Sequence, residues 1–451
     1  MRTCNMKDKR FDFEHYLKAG HGRAYLMAEK EPERYRDAIM DACRKDYTFD
    51  IQCEGSRAFL TSDLIDLFED QTPFIDAAKD AFNSSQIDDV YNEIQYLSDL
   101  LMEFGQKKTV LDKYLALWEK IKKTPYSHLT ERSSYLLFNV EYLAIKLVCD
   151  QPWKIAENIV KDMGAWYLTL EDDARSEFPW FYSVLEEEYG EDETRGHLIK
   201  LAEESPEAKA FCDKDLRKEP LSQGKVTSPK NTPTAADVVE LLRSSKDLRE
   251  LDLLHMGVRR MKEDEIRKLA RSAVDTDSNA IRERIVSVFN TKRRFTWPLG
   301  TEYLVKWCNE RDADLLKACH SAMTFIEDEH IREYALTVLR QGFDADCLMM
   351  LIRNFQSGDE AMILSLLEQV TVSDEDDCRW HDIVSVILDS YKKLPLSILL
   401  WAYEATLCSC CRMHLIEDLI ELGALSEEIR NECMWDADLE IRELVAGKGM
   451  I

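Results

Sequence analysis

The amino-acid sequence predicts an all-α protein, on three observations. Only 15 Gly and 11 Pro occur in 451 residues, and these residues break helices and form the tight turns of sheet proteins. Apolar residues recur three and four apart through nearly every segment, the spacing of one helix face. No segment alternates apolar and polar residues over a strand's length. A content of 45% hydrophobic and 10% aromatic residues is enough to build packed cores. The length exceeds what one small core organises, so two or three domains or one elongated repeat array are expected.

The elements follow in chain order. "PERYRDAIMDACRKD" (32–46) sets Tyr35, Ile39, Ala42 and Cys43 on one helix face, with Pro32 suited to the first turn. The next segment (49–70) reads as a helix with Leu60, Leu64, Leu67 and Phe68 on one side. Asp50, Glu54 and Arg57, at i, i+4 and i+7, lie on the other, and Gly55 falls inside it. Amphipathic helices are expected again in 72–85, 90–105, 110–123, 134–150 and 153–168. "EFPWFYSVLEEEYGEDE" (177–193) concentrates aromatics at Phe178, Trp180, Phe181 and Tyr182. Such a cluster fills the junction between helix pairs, or lines a peptide groove.

One stretch differs. "RKEPLSQGKVTSPKNTP" (217–233) is rich in Pro, Ser, Thr and Asn and nearly free of apolar side chains. It cannot bury enough surface to order itself and reads as a linker. The expected organisation is an N-terminal helical domain of paired helices (1–217), a linker (218–233) and a second helical domain (234–451). Thr234 is the expected N-cap of the latter, with Asp237 in the first turn.

A pattern returns after the linker. "DTDSNAIRERIVSVF" (275–289), "EDEHIREYALTVL" (327–339) and "DADLEIRELVA" (436–446) each run acids, then Ile-Arg, then apolar residues three to four apart. "KEDEIRKLARSAV" (262–274) is a looser copy. The acids suit a helix N-terminus, the Ile begins a buried stripe, and the Arg can pair with acids of a neighbouring turn. The pattern resembles the second helix of HEAT and related armadillo-like repeats, in which an acid and an arginine recur at such places. The resemblance covers most of 234–451 and implies an α-α superhelix, a HEAT-like solenoid. A single helix pair cannot cover its own apolar face, so neighbours must stack.

The formal net charge is −27. That weighs against general binding of phosphate backbones and favours basic partners. The 13 Cys are scattered without a framework spacing. "MRTCNMKDKRFDFEHYLK" has no apolar leader region, and no apolar run reaches the length of a membrane span. A reducing cytoplasm and no membrane partner are the expectation.

Three places carry chemically useful residues. In "AGHGRAY" (19–25) Gly20 should end a helix, leaving His21 and Arg23 at the start of the next. With Asp50, Glu54 and Arg57 they form the densest polar set. His21 and Glu54 are the candidate acid/base groups, and Arg23, Asp50, Glu54 and Arg57 the candidate binding residues. The structural alternative is that Arg57 pairs with Glu54 or Asp50 and His21 caps a helix.

The second place combines "DDCRWHD" with "EATLCSCCRMHLIED". Cys378 and His381 form C-x2-H, and Cys408 and Cys411 form C-x2-C, the donor types and spacings of a tetrahedral zinc site. The i, i+3 spacing is also plain helix-core spacing, with Ser409 as N-cap and Cys411, Leu415, Ile416 and Leu419 on or near the buried stripe. Buried packing thiols are therefore the favoured reading and no metal is expected, with metal binding or redox chemistry as the alternatives. In the third, Arg259, Arg260, Arg267, Arg271, Lys292, Arg293 and Arg294, near Phe295 and Trp297, make a basic stretch within 259–294. Acids interrupt it.

No G-x-x-x-x-G-K-[ST], G-x-G-x-x-G, H-E-x-x-H or G-x-S-x-G motif occurs. The sequence therefore favours a non-enzymatic protein-binding role, a neutralising or scaffold protein for a basic partner, with no cofactor and no nucleic acid implied. An enzyme or small-anion and nucleotide-binding module built on His21, Arg23, Glu54 and Arg57 is the alternative. A further one is a HEAT-like protein acting on nucleic acid through 259–294.

Overall fold

The computed structural model describes residues 11–50, 53–86, 93–126, 128, 134–149, 151–169, 178–215, 233–244, 258, 261–289, 296–310, 312–373 and 379–447. Every regular element among the described residues is a helix, and no strand occurs among them. The expected all-α class is thus what the chain adopts.

The acid-Ile-Arg pattern has a local cause in helix capping. Ser278, Asp328 and Asp438 each stand three residues before the Ile of their motif. Each is the N-cap of its helix, with its side-chain oxygen accepting from the backbone N–H of Ile281, His330 and Glu440 respectively. Such a cap is worth about 1 kcal/mol over Ala. Asp312 and Asp344 cap the helices Ala313–Met323 and Ala345–Arg353 in the same way. In the looser copy the N-cap is Lys262, which makes no side-chain cap. Thr234 does cap its helix, Ala235–Ser244. Its hydroxyl accepts from Asp237 N–H at 3.3 Å, and the Asp237 carboxylate accepts from Thr234 N–H at 2.8 Å.

Contacts divide the chain into two compact units, Met1–Gln223 with Glu428–Ile451, and Gly224–Glu427. The sequence reading grouped 234–451 together. In the structure the helices Glu427–Cys433 and Leu439–Val445 lie with the first helices of the chain. The expected linker, 218–233, falls outside the described residues except for Pro233.

In the first unit, from Phe13–Lys18 to Pro206–Asp215, helices pack on neighbours near in sequence, and Trp153–Tyr167 also packs closely on Pro206–Asp215. One apolar core runs from Tyr16 and Leu64 through Phe74, Leu97 and Val140 to Phe181 and Phe211, all at or near zero exposure, and it includes Ala437. Each such side chain contributes roughly 1.5–3 kcal/mol of transfer free energy. Pro32 opens a 3-10 turn, Pro32–Tyr35, that leads into Arg36–Ala42 with Ile39 and Ala42 buried.

Among the described residues of this segment, 49, 50 and 53–57 are not helical, and the expected helix begins only at Ala58. The carboxylate of Glu54 turns back to accept from Phe49 N–H at 3.3 Å and from Arg57 at 2.6 Å. Gly55 and Ser56 then form an irregular link, so Gly55 carries no helix penalty. The apolar face beyond holds at Leu60, Leu64 and Phe68, all buried, while Leu67 is half-buried.

In the second unit the packing follows the chain. Ala235–Ser244 touches Glu263–Asp275 and Asn279–Ser287. Asn279–Ser287 touches Ala313–Met323, which meets Glu302–Cys308 and Ala345–Arg353. Ala345–Arg353 meets Glu329–Leu339, Glu360–Leu367 and Arg379–Ser390. The last two both meet Leu396–Ala405, and Ser409–Glu421 closes on Arg379–Ser390 and Leu396–Ala405. Every principal contact joins helices that are adjacent or next-but-one among the described elements.

The motif arginines tie this succession. Arg282 donates to Ala273 O at the end of the preceding helix, and Arg332 grips Asp359 at 2.8 and 3.0 Å, ahead of Glu360–Leu367. Ile331 and Ile441 are buried as expected. At 281–282 it is Arg282 that is enclosed, while Ile281 is half-buried, as is Ile266.

Candidate functional site

Gly20 ends the first helix, as the sequence requires, with φ +66°. A Cβ there would lie 2.3 Å from Arg57 Nη1 and 2.8 Å from Ala437 Cβ. At Gly22 a Cβ would lie 1.9 Å from the carbonyl oxygen of Glu432. These two glycines let the chain's last helices approach its first. Ala437 N–H donates to Gly20 O at 2.8 Å, and Trp435 stacks on Tyr25 at 3.7 Å with planes 10° apart.

Arg23 completes this clasp. Its Nε and Nη2 donate to the two oxygens of Glu432 at 2.7 and 3.1 Å, and its Nη1 donates to Tyr16 OH at 2.8 Å. The side chains are 15% and 4% exposed, so the pair is largely desolvated. Arg442 reaches Asp63 at 2.7 Å, on the helix Ala58–Ile65. Burial is the main cause raising the Asp63 carboxyl, and Arg442 opposes it.

The structure therefore brings His21, Arg23, Glu54 and Arg57 into one region, but as an internal lattice. His21 is fully enclosed, and its Nδ1 accepts from Arg23 N–H at 3.1 Å. Glu54 and Arg57 are side chains of 0% and 3% exposure. Asp50 is half-buried, and its carbonyl accepts from Cys53 and Glu54 N–H. Glu432, 409 positions from its partner, is a residue of this region that sequence reasoning missed.

The second set converges. The donor atoms of His381, Cys408 and Cys411 all lie within 4.8 Å of one another. Cys378, the fourth residue of that set, lies outside the described residues. Cys408, not Ser409, is the N-cap of Ser409–Glu421, and its Sγ accepts from Cys411 N–H at 3.5 Å. His381 Nε2 stands 3.4 Å from Cys411 Sγ. Thr406 Oγ1 accepts from Cys408 N–H at 3.2 Å, which fixes the turn. The fully buried Trp380 donates to Ser373 O at 2.9 Å, fixing the first turn that carries His381. Leu415, Ile416 and Leu419 are buried, as expected.

A third cluster had no motif to announce it. His320 is held by Asp346 at Nδ1, 3.2 Å, and by Tyr334 OH at Nε2, 2.8 Å. Burial pushes its pKa down, but the bonds to Asp346 and Cys308 outweigh this and lift it to about 9. The Cys319 thiol, donating to Cys308, and the neighbouring His320 draw the Cys308 thiol down against its burial. Asp344 and Cys347 add two further ligand-type atoms beside His320. Both ring nitrogens of His320 are already engaged, so an ion here would first have to break a hydrogen bond.

The chain matches no protein-family model, and no curated protein matches its sequence. The remaining features are local. A cavity of about 280 Å³ in the first unit is lined by Asp99, Tyr114, Lys146, Lys107 and Leu111 among others. Lys146 stands 3.9 Å from Asp99, whose carboxyl burial raises. In the aromatic segment Phe178 and Phe181 are buried, whereas Trp180 is 53% exposed. Glu141, itself buried, accepts from Trp180 and Phe181 N–H at 2.6 and 2.9 Å, capping their helix from outside.

Of the basic stretch, Arg259, Arg260, Lys292, Arg293, Arg294 and Phe295 lie outside the described residues. Arg267 pairs with Glu263, Arg271 is exposed and Trp297 is buried. No helix among the described residues is long and apolar enough to cross a membrane.

Proposed function

We propose that the chain is a non-enzymatic binding protein whose second unit is a HEAT-like array, with an acidic outer surface that holds a partner protein through a basic segment. The observation that carries this reading is the order of packing in Gly224–Glu427, each helix on helices adjacent or next-but-one in sequence. Helices packed in this way leave outer faces with no internal partner, and such faces are where arrays bind. Exposed acids of this unit include Glu302, Asp314, Glu329, Glu360, Glu368 and Glu417. The net charge of −27 would speed encounter with a basic partner and reject acidic ones. The capped Ile-Arg helices and the Arg332–Asp359 tie are the repeat features that support the reading.

The test is affinity capture with the full chain as bait, followed by binding of the captured protein in purified form. The reading expects a partner with a basic segment, an affinity that falls as ionic strength rises, and an association rate roughly tenfold slower for a Glu329→Lys, Glu360→Lys variant. An interaction indifferent to ionic strength and to both substitutions contradicts it.

A further inference from the structure

We propose that His381, Cys408 and Cys411 form a site for a thiolate-seeking divalent cation, zinc by class. The three donors come from two helices that pack together, Arg379–Ser390 and Ser409–Glu421, so an ion would clip them to each other. In a tetrahedral zinc site with Zn–S near 2.3 Å and Zn–N near 2.05 Å, sulfur and nitrogen ligands stand about 3.6 Å apart. The observed Nε2–Sγ separation is 3.4 Å, so the imidazole and the Cys411 thiol already stand at ligand spacing.

Both cysteines are set at a helix start. Cys408 occupies the N-cap and Cys411 the third helical position, where the helix dipole favours the thiolate form that a metal requires. Cys408 is buried, while His381 and Cys411 are half-buried, so the ion would be reachable from solvent on one side. Two sulfurs and one imidazole select zinc over calcium or magnesium, which take oxygen ligands. Binding replaces the two thiol protons with the ion and releases both to solvent, so affinity rises with pH. The segments that carry the three donors are held in place by the Thr406 turn and the Trp380 anchor. The site stands apart from the proposed binding role, and neither depends on the other.

The test uses the full chain, purified without a metal resin, with zinc content measured and cobalt(II) as the spectroscopic probe. The proposal expects one equivalent of zinc per chain and, on cobalt exchange, a thiolate charge-transfer band with tetrahedral d–d absorption. Cys408→Ser, Cys411→Ser and His381→Gln should each weaken cobalt binding by more than the ~10–100-fold that loss of an outer partner costs. Cys410→Ser should bind as the natural chain does. His381→Cys restores a ligand and should bind with a stronger charge-transfer band, which separates loss of a donor from loss of fold. Cobalt spectra without thiolate bands, or binding that survives Cys408→Ser and Cys411→Ser together, would overturn the assignment.

Discussion

Substitution Glu432→Gln probes the clasp between the two ends of the chain. The glutamate accepts two hydrogen bonds from Arg23, at 2.7 and 3.1 Å, in side chains 4% and 15% exposed. Removing one partner of a buried pair costs about 3–5 kcal/mol, because the remaining charge stays desolvated. Glutamine keeps one oxygen acceptor but turns an amide toward the guanidinium, so the lower end, about 3 kcal/mol, applies. At 1.4 kcal/mol per tenfold that is on the order of a 100-fold loss of protection. Hydrogen exchange read by peptide should show it in 13–28 and 429–445 together, since each segment holds the other through Ala437–Gly20 and Trp435–Tyr25 as well. Unchanged exchange in 13–28, or a loss confined to 429–445, would refute the clasp.

Gly22→Ala should open the same two segments, because its Cβ would meet the Glu432 carbonyl at 1.9 Å; exchange by peptide tests this too. Arg332→Met removes the partner of Asp359 in a pair only 13% and 11% exposed, and should cost about 2–3 kcal/mol in urea unfolding. Arg267→Met breaks a pair exposed at 59% and 86% and should cost under about 0.5 kcal/mol. For Asp418, burial and then Glu421 and Glu417 raise the carboxyl to about 6. A raised acid takes up a proton on folding, so its penalty is full above pH 6 and fades as pH falls toward its unfolded value near 4. Asp418→Asn should therefore stabilise the chain at pH 7.5 by about 1 kcal/mol or less, allowing for solvent screening. The gain should shrink as pH falls below 6.

The fold class was legible because few Gly and Pro interrupt a three-to-four spacing, and helix periodicity is a local property. The Ile-Arg pattern carried more than a stripe: Ser278, Asp328 and Asp438 are caps, three residues ahead of Ile281, Ile331 and Ile441. The same spacing misled at Asp50, Glu54 and Arg57, which are not helical although their i, i+4, i+7 set is real. There the Glu54 side chain competes for backbone N–H groups and Gly55 follows it. C-x2-H and C-x2-C were readable as donor sets, and convergence of His381 with Cys408 and Cys411 depended on how two helices pack. Glu432 and the His320 network gave no signal, because their partners are distant in sequence and no short motif spans them.

Substitution Leu269→Ala, at a fully buried position of Glu263–Asp275, tests the order of packing most directly. It should cost about 3 kcal/mol locally. In an array coupled only through neighbours, hydrogen-exchange protection should fall strongly in 263–287, weaken by 313–323 and remain unchanged in 396–421. An equal loss of protection across 235–421 would mean one shared core and would contradict the account.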